Sequence, residues 1–464
     1  MIKIDKMSSG AGTMDAGYDW DRLIQEDRVH RRIYTDPGIF EKEMSNIFGA
    51  VWVYIAHESQ IPENDDFVTA RLGLRPIIVT RDSSGRIRAL FNRCTHRGAT
   101  ICRQDHGSAK GFQCPYHGWA YNNTGKLSGV PWPDGYADGA LDGEKFNLAQ
   151  VQRVASYRGF IFATLNPEAP SLSDYLGSMK GPIDEWLDRH PGGKVAICNA
   201  NRLKFDGNWK LAYDNSADGY HVVFSHRSLL AMENRMVAAE DKGMTYYKEN
   251  PDSQPMYVRY FGNGHHFKDK RPNMEVRPGA MWEIESLHPG MEYVEEDFRR
   301  RHGDRANELL DLASSEPVNI NVFPNLMLLG NHIQVIQPIS VTETDTTWWG
   351  TAVIDVDGEL GEDLEAINAL RMRTQEGFPN FGEVDDLMNF EQIQAGLAAA
   401  EDEWIYMHRG LGIEEGRITV DAGGVITGPA TDEVFMRETM KVYKRLMTSD
   451  PALSVTRDPD APEG

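Results

Sequence analysis

The sequence predicts an α+β protein: a small all-β domain, then a larger domain in which helices cover an antiparallel sheet. Three observations carry that expectation. Short β-rich runs separated by turn clusters fill residues 49–165, mixed strand and helix patterns fill the rest, and 464 residues suit two or three domains at ~150 residues each. The expected divisions are an N-terminal helical segment (1–47) packing on the larger domain, a β domain (48–166) and the larger domain (167–464).

In chain order, TDPGIFEKEMSNIF reads as a helix, with Thr35 or Asp36 capping and Pro37 at the first helical position. AVWVYIA, RPIIVTR, IRALFNR and GFIFATL read as strands, with DSSGR and NNTGK as turns. NPEAPSLSDYLG is a connector. HIQVIQPIS and DTTWWGTAVIDVD read as strands, and LEAINALRMRTQEGF, GEVDDLMNFEQIQ and FMRETMKVYKRLM as helices. Met436, Met440, Tyr443 and Met447 recur every three or four residues, a core stripe.

Composition narrows the function classes. The formal charge of −22 speaks against a nucleic-acid surface or a polybasic membrane anchor, both of which depend on lysine and arginine. The N-terminus lacks a signal-peptide core, and no apolar run reaches the ~18 residues of a membrane span. The expectation is a cytoplasmic, acidic protein. Four cysteines are too few for a disulfide scaffold, and three of them (Cys94, Cys102 and Cys114) fall within 21 positions, which points to a bound group.

The first chemical pattern is Cys94-x-His96, seventeen residues, then Cys114-x-x-His117. Each of two short loops offers one thiolate and one imidazole. Zinc competes for such a donor set, but zinc fingers pair cysteine with cysteine and histidine with histidine. One of each per loop lets two cysteines hold one iron and two histidines the other, the ligation of a Rieske [2Fe–2S] cluster. Gly98 and Gly118 follow the ligands and allow tight turns. Cys102 and His106, inside the loop but off the pattern, read as a buried hydrophobe and a surface imidazole.

The second pattern is NWKLAYDNSADGYHVVFSH, residues 208–226. His221 and His226 are five apart, which on a regular helix turns their rings ~140° from each other. They converge only if the helix breaks or ends there. Two histidines and a carboxylate form the facial triad of non-haem Fe(II) oxygenases. Asp385 and Asp386, at the start of the helix read over GEVDDLMNFEQIQ, are candidates for the third ligand, with helix capping the competing role. Asp218, one turn before His221, suits either metal binding or holding the second nitrogen of a histidine.

Together these segments resemble the large (α) subunit of Rieske non-haem iron aromatic-ring-hydroxylating oxygenases, over about residues 30–450. The family's C-x-H-x₁₇-C-x₂-H is matched, as is C-P-Y-H-G-W-x-Y at Cys114–Tyr121. N-W-K…D-x-Y-H-x₄-H is matched at Asn208, Trp209, Lys210, Asp218, Tyr220, His221 and His226. The resemblance implies a helix-grip (START-like) catalytic domain, iron held by His221, His226 and Asp386, and one Rieske [2Fe–2S] cluster and one mononuclear Fe(II) per chain. It also implies that Asp218 bridges His221 to His117 of a neighbouring subunit in a head-to-tail trimer, either α3 or, with a small β subunit, α3β3.

The W-K-L-x-x-[DE]-N-x-A-D-G-Y-H form, FGNGHHF and FPNLMLLGNHIQVIQP are most similar to the benzoate, anthranilate and salicylate branch. Gln334 and Gln337 stand where that branch is expected to carry arginine. The implied activity is addition of both atoms of O2 to an aromatic substrate, an aromatic carboxylate, as a cis-dihydrodiol. The alternatives are a monooxygenase of the same family (an aromatic hydroxylase or demethylase), a Rieske electron carrier and a structural zinc protein. No G-x-G-x-x-G and no plant-type ferredoxin run is present, so electrons from NAD(P)H need a separate reductase and, in some systems, a ferredoxin. Asn215, Val222, Val223 and Phe224 are candidates for the pocket wall.

Overall fold

The computed structural model describes residues 2–3, 17–141, 143–228, 231, 256–270, 291–313, 318–356, 358, 360, 361, 363–378 and 383–460. Residues 4–16 of the expected N-terminal segment, and Gly382, lie outside that set. Two compact units emerge. One comprises residues 1–18, 41–175 and 446–464, and the other residues 19–40 and 176–445.

The first unit is built from short antiparallel strands. Val53–His57, Arg75–Arg81, Ile87–Phe91 and Phe160–Thr164 fall on the four apolar runs of the sequence. A five-stranded sheet is ordered Gln150–Val151, Ile87–Phe91, Arg75–Arg81, Asp66–Leu72, His106–Ser108, and two three-stranded sheets accompany it. Alternation along these strands sends one side chain in two inward. Phe67, Ile78, Leu90, Phe112, Trp119, Tyr121 and Leu148 thereby form a core that also contains Cys94, Cys102 and Cys114. Residues 454–456 close an edge of this unit, because Gln150 and Thr456 exchange backbone hydrogen bonds.

The second unit is organised by a nine-stranded antiparallel sheet that runs from Ala196–Phe205 through Glu343–Ala352, His332–Ser340, Leu326–Leu329, Val318–Val322, His266–Asp269, Tyr257–Tyr260 and Ile426–Pro429 to Thr419–Val420. The Trp209–Ala217 helix packs on the middle strands, and the Val384–Gly396 helix packs on it and on Ala196–Phe205. Helices on a mixed-order antiparallel sheet make the α+β class expected from the sequence. Asp36 starts the Pro37–Asn46 helix by accepting from the Gly38 and Ile39 amides. Met440, Tyr443 and Met447 of the Val434–Thr448 helix are buried, as their spacing predicts. No described helix is long and apolar enough to cross a membrane.

Candidate metal centres

In the first unit, the two ligand loops are near copies of each other. The Cys94 amide donates to the Ala99 carbonyl and the Gly98 amide back to Cys94. Likewise, the Cys114 amide donates to Trp119 and the Gly118 amide to Cys114. Both turns need a left-handed residue, and glycine supplies it, with φ of 83° at Gly98 and 71° at Gly118. At Gly118 a Cβ would also meet Pro131 Cγ at 2.8 Å.

The repeat brings the four predicted ligands together. Cys94 and Cys114 are buried, and the His96 and His117 ring centroids lie 4.6 Å apart. Trp119 stacks flat on His96 at 4.9 Å and fixes its ring plane. His96 Nδ1 is buried without a hydrogen-bond partner, an orphan that a metal ligand would satisfy. The Tyr121 hydroxyl lies 3.3 Å from Cys94 Sγ, and hydrogen bonds to ligand sulfurs are one control on cluster potential. Partial burial, His96 and Arg97 hold the His117 imidazole below its ordinary value, favouring the neutral form that binds metal. Cys102 is buried and His106 exposed, as read from the sequence. These residues fit a [2Fe–2S] cluster.

In the second unit, the Trp209–Ala217 helix begins with Asn208, whose side chain accepts from the Lys210 amide, and stops at Asp218. The break allows the two histidines to meet. Asp218 takes an extended backbone (ψ 123°), and one further turn, Val222–Ser225, carries the chain to His226. Three contacts clamp the bend. Lys268 Nζ donates to the Asp218 carbonyl at 3.0 Å, the Gly219 amide donates to Ala430, and the Tyr220 amide donates to Asp218 Oδ1. A Cβ on Gly219 would meet the Ala430 methyl at 2.8 Å, so the close approach requires glycine. Burial first, then Lys270, push the Lys268 ammonium down to about 7, while Asp218 and Asp386 oppose the shift.

The result is one convergent group. Ligand atoms of His221, His226 and Asp386 lie within 4.8 Å of one another. Asp386 Oδ1 stands 3.7 Å from His221 Nε2 and 3.3 Å from His226 Nε2, yet it has no hydrogen-bond partner. Its Oδ2 accepts from Asn215 Nδ2 at 2.8 Å. Asp386 therefore faces the histidine rings and does not cap its own helix. Each outer ring nitrogen has its own carboxylate, Asp218 Oδ2 at 3.2 Å from His221 Nδ1 and Asp385 Oδ2 at 3.5 Å from His226 Nδ1.

Burial opposes ionisation of Asp218, but the His221 ring, the Tyr220 amide and Lys268 outweigh it and hold the carboxyl below the usual range. Burial would also lower His226, but Asp386 and Asp385 outweigh it and raise it. A field this negative, around an orphaned carboxylate oxygen and two imidazoles, fits a divalent cation.

Asn215 thus positions the carboxylate of the triad. Val222 is buried, Val223 half-buried and Phe224 71% exposed. Sequence reasoning did not single out Asp385 as a histidine partner, Lys268 as a clamp, or the buried Glu383. The spacing of Asp385 beside a proposed ligand was the available signal for the first, and nothing local marked the other two.

Residues 51–153 match the Rieske [2Fe-2S] domain family, and residues 194–449 match the ring hydroxylating alpha subunit catalytic domain. The chain belongs to the large subunits of the ring-hydroxylating dioxygenases. It is 33% identical to the 2-halobenzoate 1,2-dioxygenase large subunit of Burkholderia cepacia, over 82% of this chain and 80% of that one. It is 34% identical to the anthranilate 1,2-dioxygenase large subunit of Acinetobacter baylyi, again over 82% and 80%. The structure of naphthalene 1,2-dioxygenase from Rhodococcus sp., bound to indole, superposes with a TM-score of 0.70 at 28% identity, covering 93% of this chain and 96% of that one. The dioxygenase large subunit is thus an oxidoreductase with a Rieske cluster domain.

Proposed function

We propose that this large subunit is the terminal oxygenase of a multicomponent system that adds both atoms of O2 to an aromatic carboxylate as a cis-dihydrodiol, with electrons from NAD(P)H delivered by a separate reductase. The carrying observation is the convergence of His221, His226 and Asp386 on one orphaned oxygen, in the catalytic unit of a dioxygenase family. Cys94, His96, Cys114 and His117 would hold the cluster, and the triad a mononuclear Fe(II). When bound, the cluster supplies single electrons and the iron the means of activating O2. Asn215 orients Asp386, while Asp218 and Asp385 fix the ring planes of His221 and His226 as ligands.

The positioning role of Asp218 extends to assembly. Asp218 would bridge His221 to His117 of a neighbouring copy in an α3 or α3β3 trimer. In support, exposed aromatics occur in both units: Tyr116 (59%), packed against His117, and Trp132 (87%) in the cluster unit, and Tyr220 (44%) and Phe224 (71%) in the segment that carries His221. Exposed apolar groups of this kind mark association surfaces.

Turnover under ¹⁸O2 with a compatible reductase and a panel of aromatic acids tests the reading. Two labelled atoms in one diol product support dioxygenation. A single labelled atom overturns it in favour of hydroxylation or demethylation.

A further inference from the structure

Residues 454–460 lie on the cluster unit and bring a cation to it. Gln150 and Thr456 exchange backbone hydrogen bonds, Gln150 Nε2 donates to the Asp458 carbonyl at 3.1 Å, and Asn147 Nδ2 donates to the Arg457 carbonyl at 3.0 Å. Arg88 donates to the Pro459 carbonyl at 2.7 Å. These contacts fasten the segment without using the Arg457 side chain. That side chain turns back, and its guanidinium donates to the Asn147 carbonyl. The next carbonyl, that of Phe146, accepts from Thr95 Oγ1 at 2.8 Å, and Thr95 stands between the ligands Cys94 and His96. Thr95 Oγ1 also lies 2.8 Å from the Tyr121 hydroxyl, the group beside Cys94 Sγ. The Phe146 ring meets Trp119 edge-on at 5.8 Å, and Trp119 stacks on His96. Arg457 is thus one peptide unit away from the contacts that hold the first ligand loop.

A second guanidinium covers the same loop. A Cβ added at Gly98 would meet Arg93 guanidinium atoms at 3.3 to 3.5 Å. Arg93 is exposed and Arg457 half-buried. Burial first, then repulsion from Arg93, hold the Arg457 guanidinium below its ordinary value, and Tyr121 opposes them. Among the described residues, no carboxylate lies within ion-pair distance of either arginine. In a chain of net charge −22, two unpaired cations near enough to repel each other are out of place unless negative charge develops beside them. It does so when the cluster is reduced. With two thiolates and two neutral imidazoles as ligands, the ferric ions, sulfides and thiolates cancel. One electron from the reductase leaves the site with a single negative charge, which is lost again when that electron passes to the mononuclear iron.

We propose that Arg457, assisted by Arg93, is a positioning residue that raises the reduction potential of the cluster, acting through space across the Phe146–Asn147 peptide and touching no ligand. A guanidinium suits the role because it keeps its charge throughout the working pH range. The inference rests on the cluster assignment and is independent of the substrate.

Spectroelectrochemical titration of the cluster in the holoenzyme tests it, with cluster content and melting temperature recorded for each protein. Arg457→Gln, which can still donate to Asn147, should lower the equilibrium constant for reduction about fivefold, ~40 mV on the one-electron scale of ~59 mV per tenfold. Arg457→Met should lower it by a similar factor, and Arg457→Lys, which keeps the charge, should stay within about twofold of wild type. Arg93→Gln should shift it less than Arg457→Gln, because solvent screens an exposed charge. An unchanged potential in Arg457→Gln overturns the proposal, whether or not the melting temperature falls. So does a shift in Arg457→Lys as large as that in Arg457→Gln, which would follow from packing and not from charge. A wild-type protein that holds no cluster overturns the cluster assignment itself, before any variant is considered.

Discussion

The cluster cradle draws its four ligands from 24 consecutive residues, Cys94 to His117, whereas the triad takes two from residues 221–226 and its third 160 positions later. The cradle holds its shape through hydrogen bonds within each loop, Gly98 to Cys94 and Gly118 to Cys114. The triad depends on a helix break clamped by Lys268 and Ala430 and on the docking of a second helix through Asn215. A site made from local turns survives loosening of the surrounding packing, whereas a site assembled across elements is only as well placed as their packing.

The largest expected effects separate the two regions cleanly. His221→Ala should abolish product and mononuclear iron binding while leaving the visible spectrum of the cluster intact. Cys114→Ser should remove that spectrum. If either variant lost both metals, the independence of the two sites would be wrong. Next in size is Asp218→Asn, which keeps the shape but weakens the grip on His221. Steady-state turnover should fall about 10–100-fold at unchanged iron content. Asn215→Ala frees Asp386 Oδ2, so iron affinity, read by competition with a chelator, should drop by about tenfold with the cluster unaffected.

A smaller effect is expected within the cradle. Gly118→Ala forces a side chain into left-handed backbone, at a cost of about 1–2 kcal/mol, and against Pro131 as well. Melting followed at the cluster absorbance should shift down, while tryptophan fluorescence dominated by the other unit should not. A pH-linked effect concerns Asp214, whose carboxyl accepts from Tyr34 at 2.8 Å and is pushed up to about 7 by burial, against Tyr34 and Lys210. Its folded pKa lies above its unfolded one, so the fold binds the proton more tightly. Stability should decline as pH rises from the ordinary carboxylate range to about 7, by at most about 1.4 kcal/mol per unit, and then level off. Asp214→Asn, which can still accept from Tyr34, should flatten that slope in urea unfolding between pH 5 and 7. An equal slope would mean that the group is charged in the fold.

The same contrast explains what the sequence disclosed. The cradle is legible because its chemistry is contiguous, and spacing alone pairs each cysteine with a histidine. Strands such as His332–Ser340 are legible because alternation is local. His221 and His226 were readable only conditionally, since five residues cannot converge on a regular helix, and the break at Asp218 supplies the missing condition. Asp386 was ambiguous because an acid in the first helical turn looks alike whether it caps or ligates. Lys268 and Glu383 were invisible because what distinguishes them, burial against a partner from another strand or helix, is a property of the folded sheet.

The pairing of Gln150 with Thr456, and of the Asn147 amide with the Arg457 carbonyl 310 residues away, bears on how the protein is made. During synthesis, the cysteines and histidines of the cradle emerge early, yet the strand edge beside them stays open until residues 454–456 have followed. An open edge is a site of mispairing. Residues 454–457 thus act as a latch on the cluster unit, which can close only once the intervening catalytic unit has been synthesised.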